Sequence, residues 1–477
     1  MPLGRSIPLT YATAVTGLLF LQHAFDSYLS QRQLSRLHHR SLPTSLQSYF
    51  KLLRTSGNGI KAEDDEQKIT SNFLASQEYS KDKLRLSQIA QLVDLIENCL
   101  YYTPFLTTFI LTGYYARPVS GLKVLWDYST SFDLVKGRGE IVQSLAFVTA
   151  VNLLSKITSV PMSLYKPFVL EAEHGFNKMT IGTWASDFIK SELLSICLGY
   201  PLIALLLRTI QWAGPYFVTY TMLLILAIQL VMVPAYPYLL APIFNNYRPI
   251  TSEEFKDKPN YADVATRTQN LAKRLDFPLG KLWVMDGSKR SAHSNAFFYG
   301  LPYLSKHIVL FDTLLDQNTP EEVEAVLAHE LGHWKFNHPL SMLFMSEIIL
   351  VINLTLIRTC VFNPALLRSF GFTNQPLVIS LLISQALLSP LDSITSFVTN
   401  AISRKFEFQA DKFAVDLSNQ EHHYGQNLKL ALARLGSENK AVTDVDPLYS
   451  AYHHSHPTMP ERITRLDELI TTKSKKQ

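Results

Sequence analysis

Charge is scarce in this chain. Asp, Glu, Lys and Arg make up 18% of the 477 residues, where an ordinary soluble domain carries about 25%. Cysteine is nearly absent: Cys99, Cys197 and Cys360 stand far apart, with no C-x-x-C pair. That argues against a disulfide framework and a thiolate metal site, and leaves the three as small core residues. No internal repeat is visible, which sets aside solenoids and arrays. The net charge is only +4. This argues against nucleic acid as a partner and fits proximity to anionic lipid. Ahead of the first apolar run the positive region is thin, Arg5 alone, with no clear small-residue cleavage site. That run reads as a first membrane span, not a cleaved signal peptide.

What the chain has is apolar length. Hydrophobic residues reach 47%, gathered into runs that predict seven spans at 9–29, 92–114, 141–162, 193–210, 216–239, 340–361 and 377–398. The fifth holds no charged residue; the second holds Asp94 and Glu97, the sixth Glu347 and Arg358. Charges at membrane depth are expected to face protein or a water-filled cavity. Lys and Arg cluster from Arg32 to Arg85 and again at Lys473, Lys475 and Lys476. The positive-inside rule then puts the central polar segment and the C-terminus in the cytosol. The alternative is a soluble enzyme burying several long apolar helices in one core.

The central segment carries His329-Glu330-Leu331-Gly332-His333, an H-E-x-x-H motif. On a helix, positions i and i+4 share a face, so both imidazoles can reach one metal ion with the glutamate beside it as proton acceptor. Thr319-Pro320-Glu321-Glu322 supplies a capping box with proline at the first helical position. Pro339 marks a boundary, predicting a helix of roughly 18 residues. Two histidines leave zinc short of a ligand, and two His with one Glu is a common catalytic set. Glu407 is the best third ligand. Asp411 lies four residues on, where it can hydrogen-bond the outer nitrogen of a ligand histidine. The alternative is a solvated acidic edge.

Four regions follow: a five-span membrane region at 1–244, a cytosolic insertion with an edge strand and the motif helix at 245–338, spans six and seven at 339–398, and the third-ligand helix with C-terminal cytosolic helices at 399–477. Residues 55–68 read as a flexible loop and 165–190 as a polar connection. The insertion predicts a helix over 261–275 and strands over 281–286, 292–300 and 307–312. Further helices are expected at 404–417, 426–435 and 459–470, the last with Thr458 as N-cap and Glu461 closing its capping box.

The assembled motifs resemble the integral-membrane zinc CAAX prenyl protease family, the type 1 farnesylated-protein-converting endopeptidases. The resemblance rests on Glu173-His174-Gly175-Phe176-Asn177-Lys178, on Ala241-Pro242-Ile243-Phe244-Asn245, on the stretch 294–300, on the H-E-x-x-H motif, on Glu407 with Asp411, and on His456-Pro457 with Arg462. It implies an all-α polytopic membrane protein: seven transmembrane helices forming a chamber, a cytosolic gluzincin-like zinc site, and a small β-sheet insertion. It implies one Zn2+ per chain on His329, His333 and Glu407, with Glu330 as general base and His456 as oxyanion donor. Asp411 and Arg462 would support the ligands, and Ser294, Asn295 and Ala296 would grip the substrate backbone along a sheet edge. The implied activity removes the C-terminal tripeptide from prenylated CAAX proteins at the endoplasmic reticulum membrane. The implied partners are that substrate and membrane lipid, and the oligomeric state stays open. The basic tail resembles a dilysine retrieval signal. Two other readings stand beside this one: a zinc quality-control protease acting on unprenylated or translocon-stalled substrates, and a seven-span receptor or transporter without catalysis.

Overall fold

The computed structural model describes residues 10–40, 62–112, 118–300 and 305–475. Of the expected loop at 55–68, the first seven positions lie outside the described residues; from Ala62 onward the chain is a helix running to Tyr102. Lys476 of the basic tail also lies outside them.

Four helical segments are long and apolar enough to cross a membrane: Glu140–Glu171, Ile181–Phe244, His338–Val361 and Leu377–Leu417. The second contains the fourth and fifth expected spans. Its helical run turns at Gly214, whose φ of 51° and ψ of −123° suit glycine, and the apolar helices on either side, Tyr200–Ala213 and Phe217–Ala235, pack together. The first expected span falls on helix Thr10–Leu37, and the second is split between the end of Ala62–Tyr102 and the short helix Pro104–Thr112, its last two positions lying outside the described residues. None of these helices meets that standard of length and apolarity, polar residues such as Asp26, Asp94 and Glu97 interrupting the longer two. Only 11% of the most apolar stretch of Ile181–Phe244 is buried in protein. Leu205, Leu223, Val231, Phe344 and Ile394 stand exposed. A soluble core would hide such residues; a bilayer receives them. Cys197 is exposed on this surface, contrary to the expected core position, because lipid accepts a small apolar side chain as readily as protein does.

The polar connection expected at 165–190 is mostly helical. Helix Glu140–Tyr165 runs into a wide π-turn at Lys166–Glu171, and Ile181–Leu194 continues the chain. Pro161 and Pro167 resemble helix breakers in the sequence, but Pro161 is carried inside the helix and Pro167 sits at the start of the widened turn, which accommodates its missing donor.

Among the described residues two large cores stand out, beside a small cluster of Tyr79, Leu170 and Phe176. One, around Phe147, Phe217, Phe370 and Ile383, joins the apolar helices. The other, around Tyr261, Ile308, Val323 and Leu466, forms a lobe of its own. That lobe holds a four-stranded sheet: β1 (Tyr247–Pro249), β2 (Leu279–Met285), β3 (Ala296–Tyr299) and β4 (Lys306–Phe311), in the order β1-β2-β4-β3. β3 pairs antiparallel with β4, Ala296 facing Leu310, and is an edge strand. The expected strand over 292–300 is thus shorter. Asn295 precedes it, its side chain accepting from the Ala296 amide at 2.8 Å. That local hydrogen bond competes with ladder pairing and marks the strand's start.

The segment ahead of β3 is clamped to the membrane region by two of the family-like motifs. Ala292 donates its amide to the Phe176 carbonyl at 3.4 Å. Arg290 reaches Asp187 at 2.9 Å and the Asn245 side chain at 2.9 Å. The ion pair is four-fifths buried on both sides, so the edge strand is tied to the helices entering the membrane.

The motif helix spans Pro320–Lys335, and both halves of the predicted capping box are formed. It ends before Pro339, because Asn337 adopts a left-handed conformation at φ 54° and starts a new helix at His338. Against it lies the 41-residue helix Leu377–Leu417. The helix expected at 404–417 continues directly from the last apolar span, the continuity expected of the third-ligand helix. Gly332 makes this contact possible: a Cβ there would stand 3.1 Å from the Ala410 Cα and 3.3 Å from the Phe413 Cβ. Gly332→Ala is therefore expected to force the two helices apart at a cost of about 1–3 kcal/mol, read as a lower unfolding midpoint and weaker metal retention.

A candidate metal centre

Residues four apart on the motif helix present His329 and His333 side by side, with ring centroids 4.8 Å apart and Nε2 atoms 3.1 Å apart. Glu407 comes across from the long helix. Its carboxylate oxygens stand 3.4 Å from His329 Nε2 and 3.3 Å from His333 Nε2. One ligand atom from each residue lies within 4.8 Å of the other two, and no other such trio exists among the described residues. Glu407 is only 4% exposed, so the solvated-edge alternative does not describe it.

A second ring of contacts holds these three. Asp411, one helical turn beyond Glu407 and fully buried, stands 2.9 Å from His329 Nδ1. Arg462 donates to both Asp411 oxygens, at 3.0 and 2.6 Å, and lies 3.4 Å from Glu407. It arrives on the C-terminal helix Met459–Ser474, which starts with the predicted capping box at Thr458 and Glu461. His456 sits just before that helix, its Nδ1 3.0 Å from Glu407 and its ring 65% exposed, so it stands at the mouth. On the outer side of His333, His338 brings its Nδ1 to 3.0 Å.

The charges suit a cation. Burial and the Arg462 charge disfavour a protonated His329, yet the hydrogen bonds it donates to Asp411 and Glu407 outweigh them and raise it to about 9. Burial lifts the Glu330 carboxyl above its ordinary range, the neighbouring histidines opposing it. Three carboxylates, Glu330, Glu407 and Asp411, face one guanidinium, Arg462. A metal can bind only once His329 has given up its extra proton; with both imidazoles neutral and all three carboxylates ionised, a net of two negative charges remains, which a divalent ion balances. Two nitrogen donors and one oxygen donor are also the ligand types that zinc takes in hydrolytic sites.

The expected substrate residues fall beside this centre, not in it. Ser294 hydrogen-bonds Gln317. Ala296 is buried in the ladder with Leu310. Asn295 also accepts from the Phe311 amide through its carbonyl at 3.1 Å. The β3 strand packs against the motif helix, and its outer edge carries no further strand among the described residues.

Two family profiles divide the chain between them. Residues 32–246 match "CAAX prenyl protease N-terminal, five membrane helices", and residues 259–470 match "Peptidase family M48". CAAX prenyl protease 1 homolog of Arabidopsis thaliana is 37% identical, over 96% of this chain and 97% of its own. CAAX prenyl protease 1 of Saccharomyces cerevisiae is 34% identical, over 95% and 94%. The chain belongs to peptidase family M48, among the CAAX prenyl protease 1 homologues. The crystal structure of Ste24p from S. mikatae superposes with a TM-score of 0.81 at 31% identity, covering 97% of this chain and all of that one. This M48 chain is thus a membrane-embedded metalloendopeptidase with a helical bulk and a small sheet.

Sequence reasoning brought together His329, Glu330, His333, Glu407, Asp411, His456 and Arg462, and the fold gathers all seven within one centre. It missed His338 and Gly332. For Gly332 the signal was available, since glycine inside a helix is unfavourable unless something packs closely on it.

Proposed function

We propose that this M48 metalloendopeptidase holds one Zn2+ on His329, His333 and Glu407 and removes the C-terminal tripeptide from prenylated CAAX proteins. The observation that carries the proposal is the convergence of the two motif imidazoles and the Glu407 carboxylate in one negatively charged pocket. The names of the full-length relatives supply the substrate class. The bound ion would polarise the scissile carbonyl and lower the pKa of water toward neutrality.

The chain's own residues do the rest. Glu330 takes the proton of the attacking water and returns it to the leaving amine; a carboxyl lifted by burial is closer to the pH at which such a base works best. Asp411 accepts from His329 Nδ1, leaving Nε2 free to act as a ligand, and Arg462 holds Asp411 in place. His456, exposed at the mouth beside Glu407, is placed to donate to the developing oxyanion. The free edge of β3 is placed to receive an extended peptide as an added strand, with Ser294, Asn295 and Ala296 at its start. Seven spans enclosing a chamber would shelter the prenyl group. The active site and C-terminus would face the cytosol at the endoplasmic reticulum membrane.

Each buried CH2 contributes about 0.8 kcal/mol, so even a partly buried prenyl chain is worth tenfold or more in kcat/KM. A farnesylated CAAX peptide is expected to be cleaved at least about tenfold faster than the same peptide unmodified, with both activities lost on chelation. Equal rates on the two peptides would favour the quality-control reading. Unchanged cleavage after zinc removal would overturn the metal assignment.

A further inference from the structure

Both ligand histidines of the centre turn Nε2 inward, and each has an occupied outer nitrogen, but the two outer partners differ in kind. His329 faces the Asp411 carboxylate at 2.9 Å. His333 faces another imidazole: His338 Nδ1 lies 3.0 Å from His333 Nδ1. His338 is 4% exposed and is fixed on two further sides. Its Nε2 lies 3.0 Å from the Gln409 side-chain oxygen, and its ring stacks on Phe406 with centroids 4.1 Å apart and planes 4° apart. Phe406 and Gln409 flank Glu407 on the long helix. The turn at Asn337, with φ 54°, swings His338 back onto the motif helix.

The protons in this chain have one consistent neutral arrangement. To act as a ligand, His333 must keep a lone pair on Nε2, which puts its single proton on Nδ1. That proton faces His338 Nδ1, which must therefore accept. The proton of His338 is then on Nε2, facing the Gln409 oxygen, which can only accept. Every donor meets an acceptor, and reversing either ring would set two protons or two lone pairs against each other.

We propose that His338 is a positioning residue that fixes the ring and tautomer of His333, and that Phe406 and Gln409 hold His338 so that one helix sets both the third ligand and the orientation of the second. This rests on the zinc reading above. It also couples the first residue of the apolar helix His338–Val361 to the metal, so that a shift of that helix would be felt at the ligand.

The test is zinc affinity of the purified full-length protein, measured by competition with a chromogenic chelator. Outer partners of metal ligands typically contribute 10- to 100-fold in metal affinity. His338→Phe keeps the stacking ring and removes both nitrogens; zinc should bind about 10- to 100-fold more weakly. His338→Asn sets an amide oxygen close to where Nδ1 stood and should recover most of that loss. Gln409→Leu, at an exposed position that folding tolerates, should weaken zinc by a smaller factor and serves as the deciding variant if His338→Phe does not fold. Parent-like affinity in His338→Phe or, where that variant fails to fold, in Gln409→Leu would overturn the proposal, as would equal losses in the Phe and Asn variants. A parent protein that binds no zinc would instead overturn the metal reading beneath it.

Discussion

Glu330→Gln is expected to lower kcat for peptide cleavage by about 10²- to 10⁴-fold, the range assigned to a positioned general base, while zinc content and unfolding midpoint stay at the parent's values. The argument is steric as well as chemical. Glutamine has the shape of glutamate and fills the same half-buried space, so the motif helix and the ligand pair at His329 and His333 keep their geometry. What disappears is a carboxylate that can take up and return a proton. Glu330 is not among the three side chains whose ligand atoms converge, so metal content should not follow activity. Loss of this charge is not expected to destabilise the fold: desolvation already disfavours the ionised form, and a neutral isostere relieves that. Peptide cleavage, metal analysis and thermal unfolding on one preparation separate the possibilities. Full activity in the variant would remove Glu330 from the reaction, and lost zinc would recast it as a structural residue.

The site was legible wherever function follows helical spacing within one element. His329 and His333, and Glu407 and Asp411, are both i, i+4 pairs, and that spacing alone puts each pair on one face. The capping boxes at Thr319 and Thr458 were legible for a similar reason, since each is a local pattern with a local cause. His338 was not legible. It lies five residues beyond His333 across a helix break, where face arguments lapse, and only the left-handed Asn337 returns its ring to the ligand. The long helix Leu377–Leu417 was legible as a span continuing into the third-ligand helix, although composition changes abruptly at Ser403-Arg404-Lys405. Composition reports the solvent around a helix; the backbone hydrogen bonds that propagate it are indifferent to whether that solvent is lipid or water. Confusion of polarity with irregularity made 165–190 look like a loop.

Arg462→Met is expected to destabilise the metal-free protein by about 3–5 kcal/mol, the loss seen when one partner of a buried ion pair is removed. Methionine follows the arginine stem through the packed interior but carries no charge. Asp411, fully buried, would lose both of its guanidinium hydrogen bonds and keep His329. Glu407 would lose a contact at 3.4 Å. The carboxylates would then share the pocket with only imidazoles, those of His329, His333 and His456, to answer their charge. Two consequences distinguish this account from a simple packing defect. First, zinc should restore much of the lost stability, because a ligand at a thousandfold excess over its dissociation constant contributes about 4 kcal/mol, and a divalent ion supplies the positive charge that the variant lacks. Second, the double variant Arg462→Met with Asp411→Asn should be more stable than Arg462→Met alone, because the stranded charge has gone. A packing defect would make the second substitution additive or worse. Unfolding midpoints of the parent, of Arg462→Met and Asp411→Asn singly and of the double variant, with chelator and with zinc, decide between the two, and an Arg462→Met protein as stable as its parent without metal would show that the guanidinium does not hold the centre together.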